Sequence, residues 1–164
     1  MKYFSKEILV STKKEFEFID ITKQVESIVR ESNVRYGMVN IFSTHTTTGV
    51  KVNERCDQLQ IDMEGFLKQM VLGNIQYKHN ENTIDGRMNA HSHLMALITG
   101  GSETIPINES KMAIGSWQTI FFIEFDGPRE ARKIRVTVLG EQKELCGMRT
   151  SSFVIAPVKQ NDRL

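Results

Sequence analysis

The sequence predicts a single domain that combines strands with helices, and three observations support this prediction. The chain has 164 residues, 40% of them hydrophobic and 25% charged, which suffices for one domain with a packed core. Apolar residues at helical spacing predict a helix over residues 57–72. The aromatic and β-branched run from Trp117 to Phe125 predicts a central strand.

The N-terminal part predicts two strands and a helix. Residues 3–10 and 15–19 have extended character, and the polar turn between them predicts a hairpin. Asp20 or Thr22 is expected to cap the following amphipathic helix. Asn33 is expected to end that helix in a left-handed conformation.

The middle of the chain predicts a long extended segment and two more helices. Residues 37–54 show strand character, and the threonine-rich part of this segment favours a strand because branched side chains suit a pleated surface. Asp57 is expected to cap the helix over residues 57–72. A polar loop covers residues 80–86, and Asn89 is expected to cap a helix that begins at Ala90.

Strands dominate the C-terminal part. Short strands are expected near residues 104–107 and 112–114, and residues 132–139 alternate basic with apolar side chains as a solvated strand does. The pattern weakens after residue 140. A short strand is expected near residues 153–155, within a C-terminal extension or tail that spans residues 142–164.

Charge and cysteine content restrict the classes of partner. The net charge is +1 with acids and bases interspersed, so we expect no nucleic-acid partner. Cys56 and Cys146 form no CxxC pair and are expected to be reduced thiols in a cytoplasmic protein. The charged N-terminus does not resemble a signal peptide, and no apolar run approaches the roughly 18 residues of a membrane span.

Histidines provide the first indication of chemistry. His79, His91 and His93 lie within fifteen residues, and His45 precedes them in a threonine-rich segment. Histidine serves both as an acid or base near neutral pH and as a common metal ligand. On a helix, His91 and His93 would point roughly 200° apart, so only one of them is expected to face a site.

Carboxylates and hydroxyls near the histidines admit two interpretations. Glu54, Asp57 and Asp62 could contribute to a metal site, or they could be solvated helix residues and caps. The hydroxyls of residues 43–48 could bind phosphate together with Arg129 or Arg132, or the threonines could reflect strand propensity alone. Trp117 is expected to be a core or interface aromatic residue.

Several separated motifs carry a family resemblance. They are His45–Glu54, Tyr77–His79, Asn89–Leu94, Ile105–Ile107 and Gly115–Arg129. In this order they resemble the YjbQ family, over a region that we take as a single domain of residues 1–141. Ser110 and Ser116 depart from the usual pattern, and the spacing before Asp62 is one residue shorter.

The resemblance implies an α+β fold in which an antiparallel sheet curls into a half-barrel with packed helices. It also implies a homotrimer with a site near the subunit interface and a small phosphate-containing ligand. The implied activity is a weak thiamine-phosphate synthase reaction, which joins hydroxymethylpyrimidine diphosphate to thiazole phosphate and releases pyrophosphate. The alternative is a non-enzymatic trimer that binds a metal or a phosphate ligand.

The resemblance also implies roles for individual residues. Those with an implied catalytic role are His45, His79, His93, Glu54 and Asp62. Those with an implied substrate-binding role are Thr46, Asn53, Ser92, Trp117 and Gln118. The three catalytic histidines would hold a divalent metal or act as acid and base. Histidine ligation favours Zn²⁺, whereas a leaving pyrophosphate favours Mg²⁺.

Overall fold

A computed structural model describes residues 1–142. These residues form an α+β fold in which an antiparallel sheet curls into a half-barrel, as the resemblance implied. The elements are β1 (Lys2–Thr12), β2 (Glu17–Asp20), α1 (Thr22–Ser32), β3 (Val34–Ser43), β4 (Thr48–Glu54), α2 (Asp57–Met70), α3 (Ala90–Thr99), β5 (Ser102–Asn108), β6 (Lys111–Met112), β7 (Gln118–Glu124) and β8 (Arg129–Gln142), with a 3₁₀ turn at Lys78–Glu81. Among the described helices, none is long and apolar enough to cross a membrane. The strand predicted at residues 153–155 lies outside the described residues.

The strands hydrogen bond in two antiparallel groups, a five-stranded sheet in the order β1-β8-β3-β5-β6 and a three-stranded sheet in the order β2-β7-β4. The central strand predicted at Trp117–Phe125 is confirmed, because β7 lies in the middle of the three-stranded sheet. The predicted N-terminal hairpin is wrong. β1 pairs with β8 and β2 pairs with β7, so the two strands belong to different sheets and do not pair with each other.

β7 is buried on both faces, which explains its unbroken apolar sequence. Ile120 and Phe122 pack into a core shared with α1 and the five-stranded sheet. Phe121 and Ile123 point the opposite way, into a second core formed with α2 and α3. Since successive side chains of a strand alternate between faces, a strand covered on both sides needs apolar residues at every position.

The helices lie close to their predicted positions, but their N-terminal caps differ. α1 ends at Asn33, whose φ of 55° is left-handed as predicted. Asp20 Oδ1 accepts the Thr22 backbone N–H at 2.9 Å, although Ile21 occupies the N-cap position. Asp57, predicted as the cap of α2, lies in the first turn after Cys56, where its charge still complements the helix dipole.

The threonine-rich segment is a loop, and the strand predicted there is wrong. β3 ends at Ser43 in the five-stranded sheet, and β4 begins at Thr48 in the three-stranded sheet. Residues 44–47 must cross from one sheet to the other, so they cannot continue either ladder. This crossing places His45 just before the start of β4.

A buried ion pair joins the two sheets beneath this loop. Glu124 of β7 is fully buried and accepts two hydrogen bonds from Arg132 of β8, at 2.7 and 2.6 Å. The hydroxyl of Thr12 at the end of β1 also donates to Glu124, and Arg132 donates to Thr47 Oγ1 at 3.1 Å. Backbone N–H groups of residues 125 and 126 complete the environment of the carboxylate.

Glu124→Ala should destabilise the fold strongly, because it leaves the Arg132 guanidinium buried without its counter-charge. We expect the free energy of unfolding to fall by about 3–5 kcal/mol, measured by urea denaturation. Glu7→Ala is the matched control, since it breaks an exposed glutamate–arginine pair that also involves β8, with Arg135. A loss of similar size in both variants would contradict a special role for the buried pair.

Candidate functional site

The predicted site residues fall into two groups at opposite ends of the three-stranded sheet. In the register of β4 and β7, Thr48 faces Glu124 at one end and Glu54 faces Gln118 at the other. The histidines lie beyond the first end. Because β4 spans seven residues, the two ends are about 20 Å apart.

The loop between β3 and β4 holds His45 in a defined orientation. His45 Nε2 accepts the backbone N–H of Lys133 on β8 at 2.8 Å. The hydroxyl of Thr48 donates to the His45 carbonyl at 3.3 Å and lies 2.5 Å from Ser43 Oγ. His45 therefore uses Nε2 as an acceptor within the protein, and in the neutral ring the hydrogen is on Nδ1, which can donate a hydrogen bond to a ligand.

His79 and His93 form a pair. Their rings lie 4.9 Å apart between centroids, at an interplanar angle of 75°. His79 belongs to the 3₁₀ turn, and His93 lies in the first turn of α3. His79 Nε2 lies 3.3 Å from Asn89 Oδ1, so the amide of Asn89 orients the exposed imidazole.

His91 points away from this pair, as its helical spacing predicted. Its Nε2 lies 3.5 Å from Glu15 Oε1, on the side of the protein near the end of α2. His91 Nδ1 is buried and has no hydrogen-bond partner among the described residues. His91 and His93 thus face different surroundings, and only His93 contacts another histidine.

Two cavities meet at His93. One has a volume of about 610 Å³, and its lining includes His45, Thr46 and the apolar side chains of Phe42 and Leu97. The other has a volume of about 260 Å³. It is lined by His79, Asn82, Ile84, Asp85, Asn89 and His93. His93 is therefore in a position to contact a ligand in either cavity.

The two remaining predicted residues near the histidines differ in exposure. Thr46 is exposed in the loop and lines the larger cavity. Ser92 is fully buried, and its hydroxyl donates to the Phe125 carbonyl at 2.7 Å. Ser92 holds α3 against the end of β7 and presents no free hydroxyl to either cavity.

The other predicted residues lie at the far end of the sheet. Asn53 and Glu54 are exposed at the end of β4, and Asn53 Nδ2 contacts Met63 of α2 at 3.2 Å. Trp117 is 75% exposed, so it is not a core residue. Gln118 Oε1 accepts the Gly115 N–H at 2.7 Å and lines a separate cavity beside α1. Asp62 is exposed on α2.

The histidine end fits a divalent cation in part. His79, His93 and Asp85 line one cavity, and imidazole with carboxylate is a donor set that such cations accept. Within residues 1–142, however, no three histidine, cysteine, aspartate or glutamate side chains converge closely enough to hold a metal by themselves. His45, the third predicted ligand, lines the other cavity. A bound cation would therefore need a ligand from water, substrate or another chain.

Sequence reasoning missed Asp85, Asn89 and Asp126 as parts of the site. Asn89 was expected only to cap α3, and it occupies the N-cap position without making a side-chain capping bond. Its Nδ2 donates instead to Asp126 Oδ2 at 2.9 Å. The available signal was the motif Asn89–Leu94 itself, in which a buried amide precedes two histidines.

The surroundings of His45 favour its neutral form. Burial lowers the pKa of the imidazole below its ordinary value of 6.5, and the nearby positive charges of Arg132 and Lys133 lower it further, against an opposing effect of Glu124. The hydrogen bond from the Lys133 N–H requires an unprotonated Nε2, which is consistent with this direction.

The fold and the histidine pair define an α+β half-barrel protein with a ligand-accessible imidazole cluster. The chain belongs to the YjbQ family, because the family model described as UPF0047 protein YjbQ-like matches residues 6–141. A UPF0047 protein of Methanothermobacter thermautotrophicus is 41% identical over 141 residues, which cover 86% of this chain and 95% of that protein. The UPF0047 protein YugU of Bacillus subtilis is 32% identical over 76% of this chain and 91% of its own length.

Solved structures show the same fold. A YbjQ-like protein of unknown function from Sulfolobus solfataricus is 41% identical and superposes with a TM-score of 0.81, covering 85% of this chain and 99% of that one. An uncharacterized conserved YjbQ/UPF0047 family protein from Clostridium acetobutylicum is 38% identical with a TM-score of 0.75, covering 82% and 99%. These similarities establish the family and leave the function to be inferred from the site.

His45 should titrate below its ordinary pKa of 6.5, as followed by NMR of the imidazole carbon-bound protons, with His45→Gln used to assign the signal. Since the pKa is lowered by folding, its contribution to stability is fully present above pH 6.5 and is lost as pH falls from there through the folded-state pKa. The decrease in unfolding free energy below pH 6.5 should therefore be smaller in His45→Gln. A titration midpoint at or above 6.5 would contradict the assigned environment.

Proposed function

We propose that this chain is a cytoplasmic, homotrimeric enzyme that binds a small phosphate-containing substrate beside a divalent cation held by His79 and His93. The observation that carries the proposal is the close pair of imidazoles on the wall of a cavity that Asp85 also lines. The more specific activity that we propose is the thiamine-phosphate synthase reaction. In that reaction the pyrophosphate leaving group needs charge stabilisation.

Both imidazoles are available for this role. His79 is exposed and His93 is half-buried, so a cation or substrate can reach both rings. A bound divalent cation would neutralise phosphate oxygens. The chain's own contribution is to hold the two rings side by side, through the 3₁₀ turn and the first turn of α3. Imidazole ligands favour Zn²⁺ over Mg²⁺ at such a position.

Assembly into a trimer would bring the two groups of site residues together. Within one chain they are about 20 Å apart, too far to contact one small ligand. In a cyclic oligomer, one surface of each copy contacts a different surface of the next copy, so the histidine end could meet the end that carries Glu54 and Trp117. Each site would then contain residues of two subunits.

Exposed apolar side chains at both ends support this assembly. Phe42 and Leu97 are 47% and 78% exposed beside the histidines. Trp117 is 75% exposed at the opposite end, and Phe66 and Met70 are 58% and 59% exposed on α2. Contiguous exposed apolar patches mark protein–protein or ligand-binding sites. Two different patches suit a head-to-tail ring.

A non-enzymatic binding protein is the second candidate. Within the described residues, neither His79 nor His93 is joined to a carboxylate by an ion pair. The carboxylates expected to assist catalysis, Glu54 and Asp62, lie far from the histidines of the same chain. If no carboxylate pairs with the imidazoles, the site would bind a metal or a phosphate ligand without turning it over.

Purified protein should bind Zn²⁺ through the histidine pair. We expect His79→Ala and His93→Ala each to weaken Zn²⁺ binding at least tenfold in isothermal titration calorimetry, because each removes a ligand. His91→Ala is the matched control, since it removes a histidine from the same helix that faces Glu15. Binding that is absent from the wild type, or lost equally in the control, would refute the metal site.

Mixing two inactive variants should restore function if the site spans two subunits. His93→Ala removes the histidine end and Glu54→Ala removes the opposite end, while each chain keeps the other end intact. After unfolding and co-refolding at equal concentrations, about a quarter of all interfaces, counted over every trimer formed, should carry both intact ends. Thiamine-phosphate formation should recover to that fraction of wild type.

Light scattering measures the oligomeric state of each sample, so that the recovered activity can be assigned to trimers. Recovery of activity in mixed trimers supports a composite site. Trimers that show no recovery would place all catalytic groups within one chain. Wild-type trimers without synthase activity that still bind pyrophosphate would favour the non-enzymatic alternative.

A further inference from the structure

A chain of hydrogen bonds runs from His79 into the protein and ends on a carboxylate. Asn89 occupies the middle: its Nδ2 donates to Asp126 Oδ2 at 2.9 Å, and its Oδ1 lies 3.3 Å from His79 Nε2. Arg87 and Arg129 both donate to the Asp126 carboxylate. Asn89 and Asp126 are buried, so the chain is shielded from solvent except at His79.

The chemistry of these groups fixes the direction of each hydrogen bond. A carboxylate held by two guanidinium groups can only accept, so the NH₂ group of Asn89 must face Asp126. The amide oxygen of Asn89 therefore faces His79. Because this oxygen also can only accept, the hydrogen atom in the contact must be on His79 Nε2. In the neutral ring, Nδ1 then carries the lone pair.

We infer that Asp126 and Asn89 are positioning residues that fix His79 in its Nε2–H tautomer and present Nδ1 as the ligand-binding nitrogen. The lone pair on His79 Nδ1 can therefore bind a divalent cation or accept an acidic proton from a substrate. Carboxylates and amides that receive the second N–H of a histidine have this effect at many metal sites.

The N-terminus of α3 provides independent support. Asn89 sits at the N-cap position, where an asparagine side chain usually accepts a helix N–H, yet it makes no such bond. Asn80 Oδ1 accepts the N–H of Ala90, the first residue of α3, at 3.1 Å. The Asn89 side chain is thus free to join Asp126 to His79, and helix capping does not explain its conformation.

The test is the tautomeric state of His79 in metal-free protein, measured near neutral pH by long-range nitrogen–proton NMR correlation. We expect the Nε2–H form almost alone in the wild type. Asn89→Ala should raise the Nδ1–H population, because the ring loses its acceptor. Asn80→Ala is the matched control: it also removes an asparagine side chain from the N-terminus of α3 but leaves the contact with His79 intact.

Three results would overturn the inference: a wild-type His79 that is mainly Nδ1–H, no change in Asn89→Ala, or an equal change in Asn80→Ala. If Asn89→Ala does not fold, Asp126→Asn serves as the second variant. A neutral amide at position 126 no longer dictates which way Asn89 faces, so the same rise in Nδ1–H is expected.

Zn²⁺ affinity gives a separate readout that rests on the proposed function. Loss of an orienting residue behind a histidine ligand lowers metal affinity about 10–100-fold, so Asn89→Ala should weaken Zn²⁺ binding by this factor while Asn80→Ala does not. A wild type that binds no Zn²⁺ would refute the metal in the proposed function. The tautomer of His79 in the metal-free protein would still show whether Asn89 and Asp126 position this ring.

Discussion

The ion pair between Glu124 and Arg132 is the constraint on which the rest of the structure depends. Removing two charges from water at the junction of the two sheets costs several kcal/mol per ion, and this cost is offset only when the remaining lone pairs and N–H groups find partners. The partners come from Thr12, Thr47 and the backbone of residues 125 and 126. The ends of β1, β7 and β8 and the His45 loop are therefore held in one arrangement.

Three consecutive residues at the end of β7 each hold one part of the histidine end. Glu124 positions Arg132 and the loop that carries His45. The carbonyl of Phe125 accepts the Ser92 hydroxyl and so fixes α3. Asp126 accepts the amide of Asn89, which orients His79. The site is thus built on a rigid strand end, although its imidazoles come from a loop, a turn and a helix.

Local sequence patterns predicted the helices and the central strand, because these depend on spacing within one segment. The pairing of β1 could not be predicted in this way, since its partner β8 lies more than a hundred residues further along the chain. The threonine-rich segment was misassigned because its β-propensity is local, whereas its course is set by the need to pass from one sheet to the other. Tertiary context overrode propensity there.

The same distinction applies to the site. Helical spacing was enough to separate His91 from His93, but it could not show that His79 reaches His93 or that Asn89 joins Asp126 across 37 residues. Ser92 shares its motif with His93, yet it is buried with its hydroxyl bound to Phe125. A motif lists the residues that a site needs, and only the fold shows which of them line the cavity and which support it.

The burial of β7 on both faces has a consequence for how this protein behaves when it unfolds. Residues 120–123 form an uncharged run of Ile, Phe, Phe and Ile with high β-propensity, protected only while both cores are closed. Once heat or acid opens the three-stranded sheet, this exposed segment can pair with the same segment of other unfolded copies. Thermal denaturation should then end in aggregates, and the lifetime of the folded state will be governed by its unfolding rate.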